Sequence, residues 1–105
     1  MIVVTNEAII KITMNVEWDA AKAALNLKKH SIAFEDAELV FCDPGRIETY
    51  DDRKDYGEGR WATIGGVGSA LLYVVYTVRH EKTFRLISAR KADADERKQY
   101  HKANS

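Results

Sequence analysis

The sequence predicts an α+β fold: an antiparallel β-sheet packed by two N-terminal helices and a C-terminal helix. Three observations support this. Helix signals fill residues 20–41 and the C-terminus, whereas 46–90 is strand-like and rich in Val, Thr and Tyr. Short breaks at Gly65-Gly66 with Gly68-Ser69 and at His80-Glu81-Lys82 return each strand antiparallel to the last. At 105 residues, 46% apolar and 30% charged, the chain suits one domain with a modest core and a sheet of three or four strands.

Residues 1–13 are mildly apolar but lack a basic leader and a small-residue cleavage site, so they are expected to be a peripheral extension to a domain spanning 14–105. Val16 to Trp18 reads as a short strand. Asp19 is placed to cap a helix over Ala20–His30, on which Ala21, Ala24, Leu25 and Lys28 share a face with Leu27 beside it. Lys28, Lys29 and His30 end that helix, where positive charge suits the dipole. Phe34, Ala37 and Phe41, with Val40, give a second helix over 33–41 an apolar face for the core. Asp43-Pro44-Gly45 is a turn, Arg46–Tyr50 a strand, and 51–59 an acidic loop. Arg60–Ile64 is a strand, and the glycines from Gly65 to Gly68 read as its turn. Leu71–Arg79 and Thr83–Arg90 form a hairpin. Asp93-Ala94-Asp95-Glu96 matches a capping box opening a helix to about Lys102.

Net charge is zero but unevenly spread. Residues 1–58 hold 12 acids against 7 Lys/Arg, and residues 59–105 hold 9 Lys/Arg against 4 acids. The second half therefore offers a surface for phosphate. Its candidates are Arg79, Arg85 and Arg90 on the hairpin, with Arg60, Lys91 and Arg97 nearby in sequence. A guanidinium keeps its charge, and its planar fork matches phosphate oxygens. Pairing with neighbouring acids would account for the same residues equally well.

The hairpin register decides which candidates meet. A two-residue turn puts Thr77, Arg79, Ser88 and Arg90 on one face, and a turn one residue longer brings Arg85 beside Thr77 and Arg79 instead. His30 and Lys29 are candidates for moving protons, since imidazole exchanges them near neutral pH. Glu96 is a candidate base, although the capping box explains it as well. Tyr100 is placed either to stack on a base or to dock the last helix.

Cys42, the only cysteine, excludes an internal disulfide and reads as a half-buried small residue. Gly65-Gly66-Val67-Gly68 lacks a phosphate-loop fingerprint. Asp51, Asp52 and Asp55 read as solvated acids; no metal site or cofactor is expected. No apolar run approaches the ~18 residues of a membrane span.

Several motifs occur together in order: Glu17-Trp18-Asp19, Lys22, Asn26, Lys29-His30, Phe34-Glu35-Asp36-Ala37, Val40 to Pro44, Arg60, Thr63-Ile64-Gly65, Tyr76 to Arg79, Arg85 to Ala92, and Glu96-Arg97. From about Val16 to Tyr100 the chain resembles the BrnT toxin family. The resemblance implies a RelE-like fold and the toxin half of a bacterial type II toxin–antitoxin pair, acting in the cytoplasm. It implies an endoribonuclease that stops translation, neutralised by a BrnA-like antitoxin of ribbon-helix-helix type, with promoter DNA bound only through that antitoxin. Two positions depart from the family pattern: Ser31 stands where Gly is usual, and Ala33 where Ser or Thr is usual.

Chemistry on such a surface needs no metal. The ribose 2′-OH attacks the adjacent phosphate, leaving a 2′,3′-cyclic phosphate and a 5′-OH. Arg79, Arg85 and Arg90 hold the phosphate, and His30, Lys29 or Glu96 moves protons. Lys29, Arg60, Thr77, Ser88, Lys91, Arg97 and Tyr100 are the expected RNA contacts. The competing readings are a non-catalytic RNA-binding or corepressor module on the same fold, and a structural partner whose arginines pair with an acidic segment.

Overall fold

The computed structural model describes residues 15–51, 59–80 and 82–105. The proposed extension over 1–13 and most of the acidic loop lie outside these. Element order is β1 (Asn15–Trp18), α1 (Ala20–His30), α2 (Phe34–Ala37) running into a 3-10 segment (Glu38–Cys42), β2 (Ile47–Asp51), β3 (Arg60–Val67), β4 (Ala70–Arg79), β5 (Thr83–Lys91) and α3 (Ala94–Ala103). The α+β class holds. The sheet has five strands rather than three or four, in the order β1-β5-β4-β3-β2. β1, the short strand expected at Val16–Trp18, pairs parallel to β5 at the sheet edge, so the sheet is mostly, not wholly, antiparallel.

The first sheet face carries the core. Leu72, Val74 and Tyr76 of β4, with Leu86 and Ala89 of β5, pack against Phe34, Ala37, Val40 and Phe41. These helical residues are the four expected from spacing. Phe41 stands edge-on to Tyr76, and Tyr76 stacks on Phe84. The Tyr76 hydroxyl donates to Glu48 at 2.6 Å. Burial, and then that carboxylate, push its ionisation far above the usual tyrosine range.

The glycine reading needed correction. The Gly65-Gly66 pair is not a turn: β3 runs through it to Val67, and the chain reverses at 68–69, where Gly68 has φ +59°. Gly65 lies against Val40, whose Cγ2 would stand 2.5 Å from any Cβ, so glycine here permits close approach of the 3-10 segment. The apolar stripe on α1 does not face the core: Ala21, Ala24, Leu25 and Leu27 are exposed, and the helix presents Ala23, Asn26 and His30 inward. Asn26 explains why. Its amide donates to the Ala89 and Ile32 carbonyls, both at 2.9 Å, and accepts from Ala89 N–H at 3.0 Å. β1 pairs with β5 only as far as Leu86, so this carboxamide satisfies backbone groups that no further strand residue reaches.

Candidate functional site

The site begins with strand register. Arg79 lies opposite Thr83, Thr77 opposite Arg85, Val75 opposite Ser88, and Tyr73 opposite Arg90. Opposed residues share a face, so all of these belong to the second face, away from α2 and the core. A strict alternation from Arg85 would have sent Ser88 and Arg90 to the core side. Ile87 prevents this: it is the extra residue of a β-bulge, since Val75 pairs with Ser88 while Tyr76 pairs with Leu86. The longer turn and the bulge together satisfy both registers considered from sequence, and Arg79, Arg85, Ser88 and Arg90 stand on one face. Arg60 shares the face from β3, two residues along from Ala62, which lies opposite Val75.

The arginines differ in their partners. Arg85 meets Glu17 of β1 at 3.4 Å, a long and half-exposed pair worth little in water. Arg90 is held firmly. Its Nη1 and Nη2 donate to the two oxygens of Glu96 at 2.8 Å each, and its guanidinium lies 4.2 Å from the centre of the Tyr73 ring. The Glu96 hydrogen bonds raise the Arg90 ionisation above its already high value, against the effect of burial. Nη1 also donates to the Lys91 carbonyl. Among the described interactions this leaves Nε–H and one Nη2–H, on the same edge of the guanidinium, for another acceptor.

Glu96 is correspondingly committed. Besides Arg90, its Oε1 accepts from Asp93 N–H at 2.8 Å in the expected capping box, so a base role competes with three existing hydrogen bonds. Lys91 does not join the group: it lies opposite Leu72, in register with the core-side residues. Arg97 donates to the Ala92 carbonyl at 2.8 Å.

Tyr100 docks α3. Its hydroxyl donates to Asp43 Oδ2 at 2.7 Å, and the same carboxylate accepts from Gly66 and Gly45 N–H. Burial works against the Asp43 charge, but these donors and Arg46 outweigh it and hold the carboxyl below the usual range. Asp43, which sequence reasoning read only as a turn residue, is thus what fixes α3 to the sheet. The sequence signal is an aspartate two residues before a glycine, the spacing of an Asx-turn.

Two hollows flank the arginines. One, of about 250 Å³, lies between α1 and the β5 bulge, lined by Lys22, Leu25, Asn26, Lys29, His30, Ile87 and Ser88. It brings His30 and Lys29 to the same hollow as Ser88. The other, of about 350 Å³, lies between the second face and α3, lined by Thr49, Tyr50, Ala62, Ile64, Tyr73, Glu96 and Gln99. Among the described residues no cluster of His, Cys, Asp or Glu could hold a metal ion, and no helix is long and apolar enough to cross a membrane.

The comparisons with known proteins follow the same lines. Curated protein sequences give no match. A crystal structure of the Brucella abortus ribonuclease toxin BrnT superposes with a TM-score of 0.57 at 25% identity, covering 77% of this chain and 99% of that one. The family model "Ribonuclease toxin, BrnT, of type II toxin-antitoxin system" matches residues 18–96, from the end of β1 to the Glu96 that grips Arg90. The chain belongs to the BrnT family of ribonuclease toxins of type II toxin–antitoxin systems.

Proposed function

We propose that this protein is a metal-independent endoribonuclease with a RelE-like fold, which cuts RNA on the second face of its sheet and so stops translation in the cytoplasm. The observation that supports this reading is the register that sets Arg79, Arg85 and Arg90 in one row on one face with Thr77 and Ser88, a row about 20 Å from end to end. These cations sit on paired strands, so their positions are set before substrate arrives, and that preorganisation is what stabilises a crowded, doubly negative phosphorane.

In this reading the 2′-OH attacks the neighbouring phosphorus and the 5′-oxygen leaves with a proton, giving a 2′,3′-cyclic phosphate and a 5′-OH. Arg85 exchanges its weak contact with Glu17 for a phosphate oxygen. Arg90 offers its remaining edge, and Glu96 orients it. His30, in the hollow shared with Ser88, moves the proton, with Lys29 beside it. Arg60 extends the RNA track; Thr77, 1% exposed with its hydroxyl donating to the Gly59 carbonyl at 2.7 Å, supports the face from within rather than touching RNA, and Lys91, Arg97 and Tyr100 lie to one side. The partner is a BrnA-like antitoxin of ribbon-helix-helix type, through which the complex reaches promoter DNA.

Toxin freed of its antitoxin should cut single-stranded RNA in EDTA, with cyclic phosphate ends detected by mass spectrometry. Strict dependence on Mg²⁺ would overturn the mechanism. Arg79→Ala and Arg85→Ala should each slow cleavage about 100-fold, by analogy with loss of one oxyanion donor. Lys98→Ala, on the exposed side of α3, should not.

A further inference from the structure

We propose that the 350 Å³ cavity between the second sheet face and α3 is a nucleobase subsite, in which Gln99 reads the edge of a base beside the scissile phosphate. This rests on reading the second face as the RNA-cutting face, and it names what that face selects.

The lining suits a flat heterocycle. Ala62 and Ile64 form an apolar floor; both are buried, yet neither belongs to the main core cluster. They are therefore buried on the other side of the sheet. Tyr73 bounds the cavity toward the arginines, and Thr49 and Gln99 supply polar groups. The volume lies within the range of small-molecule sites, whose pattern is also apolar walls with a few placed polar groups.

The location suits a base rather than an unrelated ligand. Ile64 lies opposite Tyr73, and Tyr73 opposite Arg90, so the three stand side by side across β3, β4 and β5. Two strand spacings place the cavity floor roughly 10 Å from the backbone of Arg90. A phosphate held along the β5 arginines can then place its base across β4 into the cavity.

Gln99 is the group available to read it. The neighbouring carboxylate of Glu96 already accepts two hydrogen bonds from Arg90 and one from Asp93. Gln99 lies three residues further along α3, on the same side of the helix, and among the described residues its carboxamide makes no hydrogen bond. A carboxamide both donates and accepts, so it can form the paired contact by which base edges are distinguished.

The test uses labelled 2′-O-methyl oligonucleotides, which lack the attacking hydroxyl, with an abasic residue at each position in turn and affinity read by fluorescence anisotropy. One abasic position should weaken wild-type binding about tenfold. Gln99→Ala should shrink that loss, and Ala62→Leu, which fills the cavity, should remove it. No position-dependent loss, or the same loss in both variants, overturns the subsite. Ala62→Leu weakening antitoxin binding while leaving the abasic effect intact also overturns it, because the cavity is then a protein anchor. All-ribose oligonucleotides assayed alongside keep the two readings apart. Cleavage without abasic dependence removes the subsite alone. Abasic dependence without cleavage sustains the subsite and removes the nuclease.

Discussion

Asn26 shows how a single side chain can stand in for a strand. Its two hydrogen bonds to Ala89 are buried and the one to Ile32 is partly so, and Asn26→Ala leaves both backbone groups of Ala89 and the Ile32 carbonyl without their partner. The expected cost is about 2–4 kcal/mol, or roughly 10 °C or more in thermal midpoint for a domain of this size. Asn26→Asp, nearly isosteric, keeps one acceptor but turns the donor into an oxygen facing two carbonyls. It should be destabilising as well, which separates hydrogen bonding from packing. Pattern reading missed this residue because it searches a helix for an apolar stripe, and here the inward position is polar. The two departures from the family pattern were legible, and their geometry follows. Ser31 sits at φ 60°, the left-handed conformation that favours glycine, and Ala33 caps α2 with no side-chain hydrogen bond. Ser31→Gly and Ala33→Ser should each stabilise the protein by about 1 kcal/mol in urea denaturation.

Among the elements, α3 depends most on a few polar contacts. It has no buried residue; Tyr100–Asp43, Asn104 to the Gly45 carbonyl and Arg90–Glu96 hold it in place. Asp43 is held below the usual carboxyl range. Its contribution is therefore present above the unfolded value of about 3.9 and is lost as pH falls through the lower folded value. Tyr100 is shifted up, chiefly by its hydrogen bond to Asp43, so its contribution is present below about pH 10 and lost as pH rises through the folded value. Protection of the α3 amides, measured as exchange relative to the intrinsic rate at each pH, should accordingly be greatest between these limits. In Asp43→Asn protection should be lower at neutral pH, and its acid-side loss should disappear. The helix and its capping box were readable from Asp93 to Glu96, because caps are local. Its docking was not, because Asp43 and Tyr100 are 57 residues apart. The sheet divides in the same way: β4 and β5 were plain from their composition, while β1 was placed by a long-range parallel pairing.

At the scale of the molecule, the sheet separates one acidic pair from the arginine row. Glu35 and Asp36 lie on α2, on the core side of the sheet, and the arginines lie on the other side. An antitoxin that silences the toxin by covering the arginine face must present acidic or otherwise pairing groups to it, since buried cations without partners are costly. A saturating antitoxin should then abolish RNA binding in an anisotropy competition and raise the toxin's melting temperature. RNA affinity unchanged by the antitoxin would place inhibition elsewhere. The clustering of cations could be counted in the sequence, but their gathering on one face could not, because it hinges on Ile87. That residue has a consequence for how the gene can vary. Exchanging Ile87 for another amino acid leaves the parity of β5 intact. Losing its codon removes the bulge and leaves Leu86, Ser88, Ala89 and Arg90 in plain alternation opposite Tyr76, Val75, Val74 and Tyr73, so Ser88 and Arg90 keep the outward face. In this stretch it is the partner each residue keeps on β4 that decides which side chains meet the outside, and the chain tolerates a residue that has none.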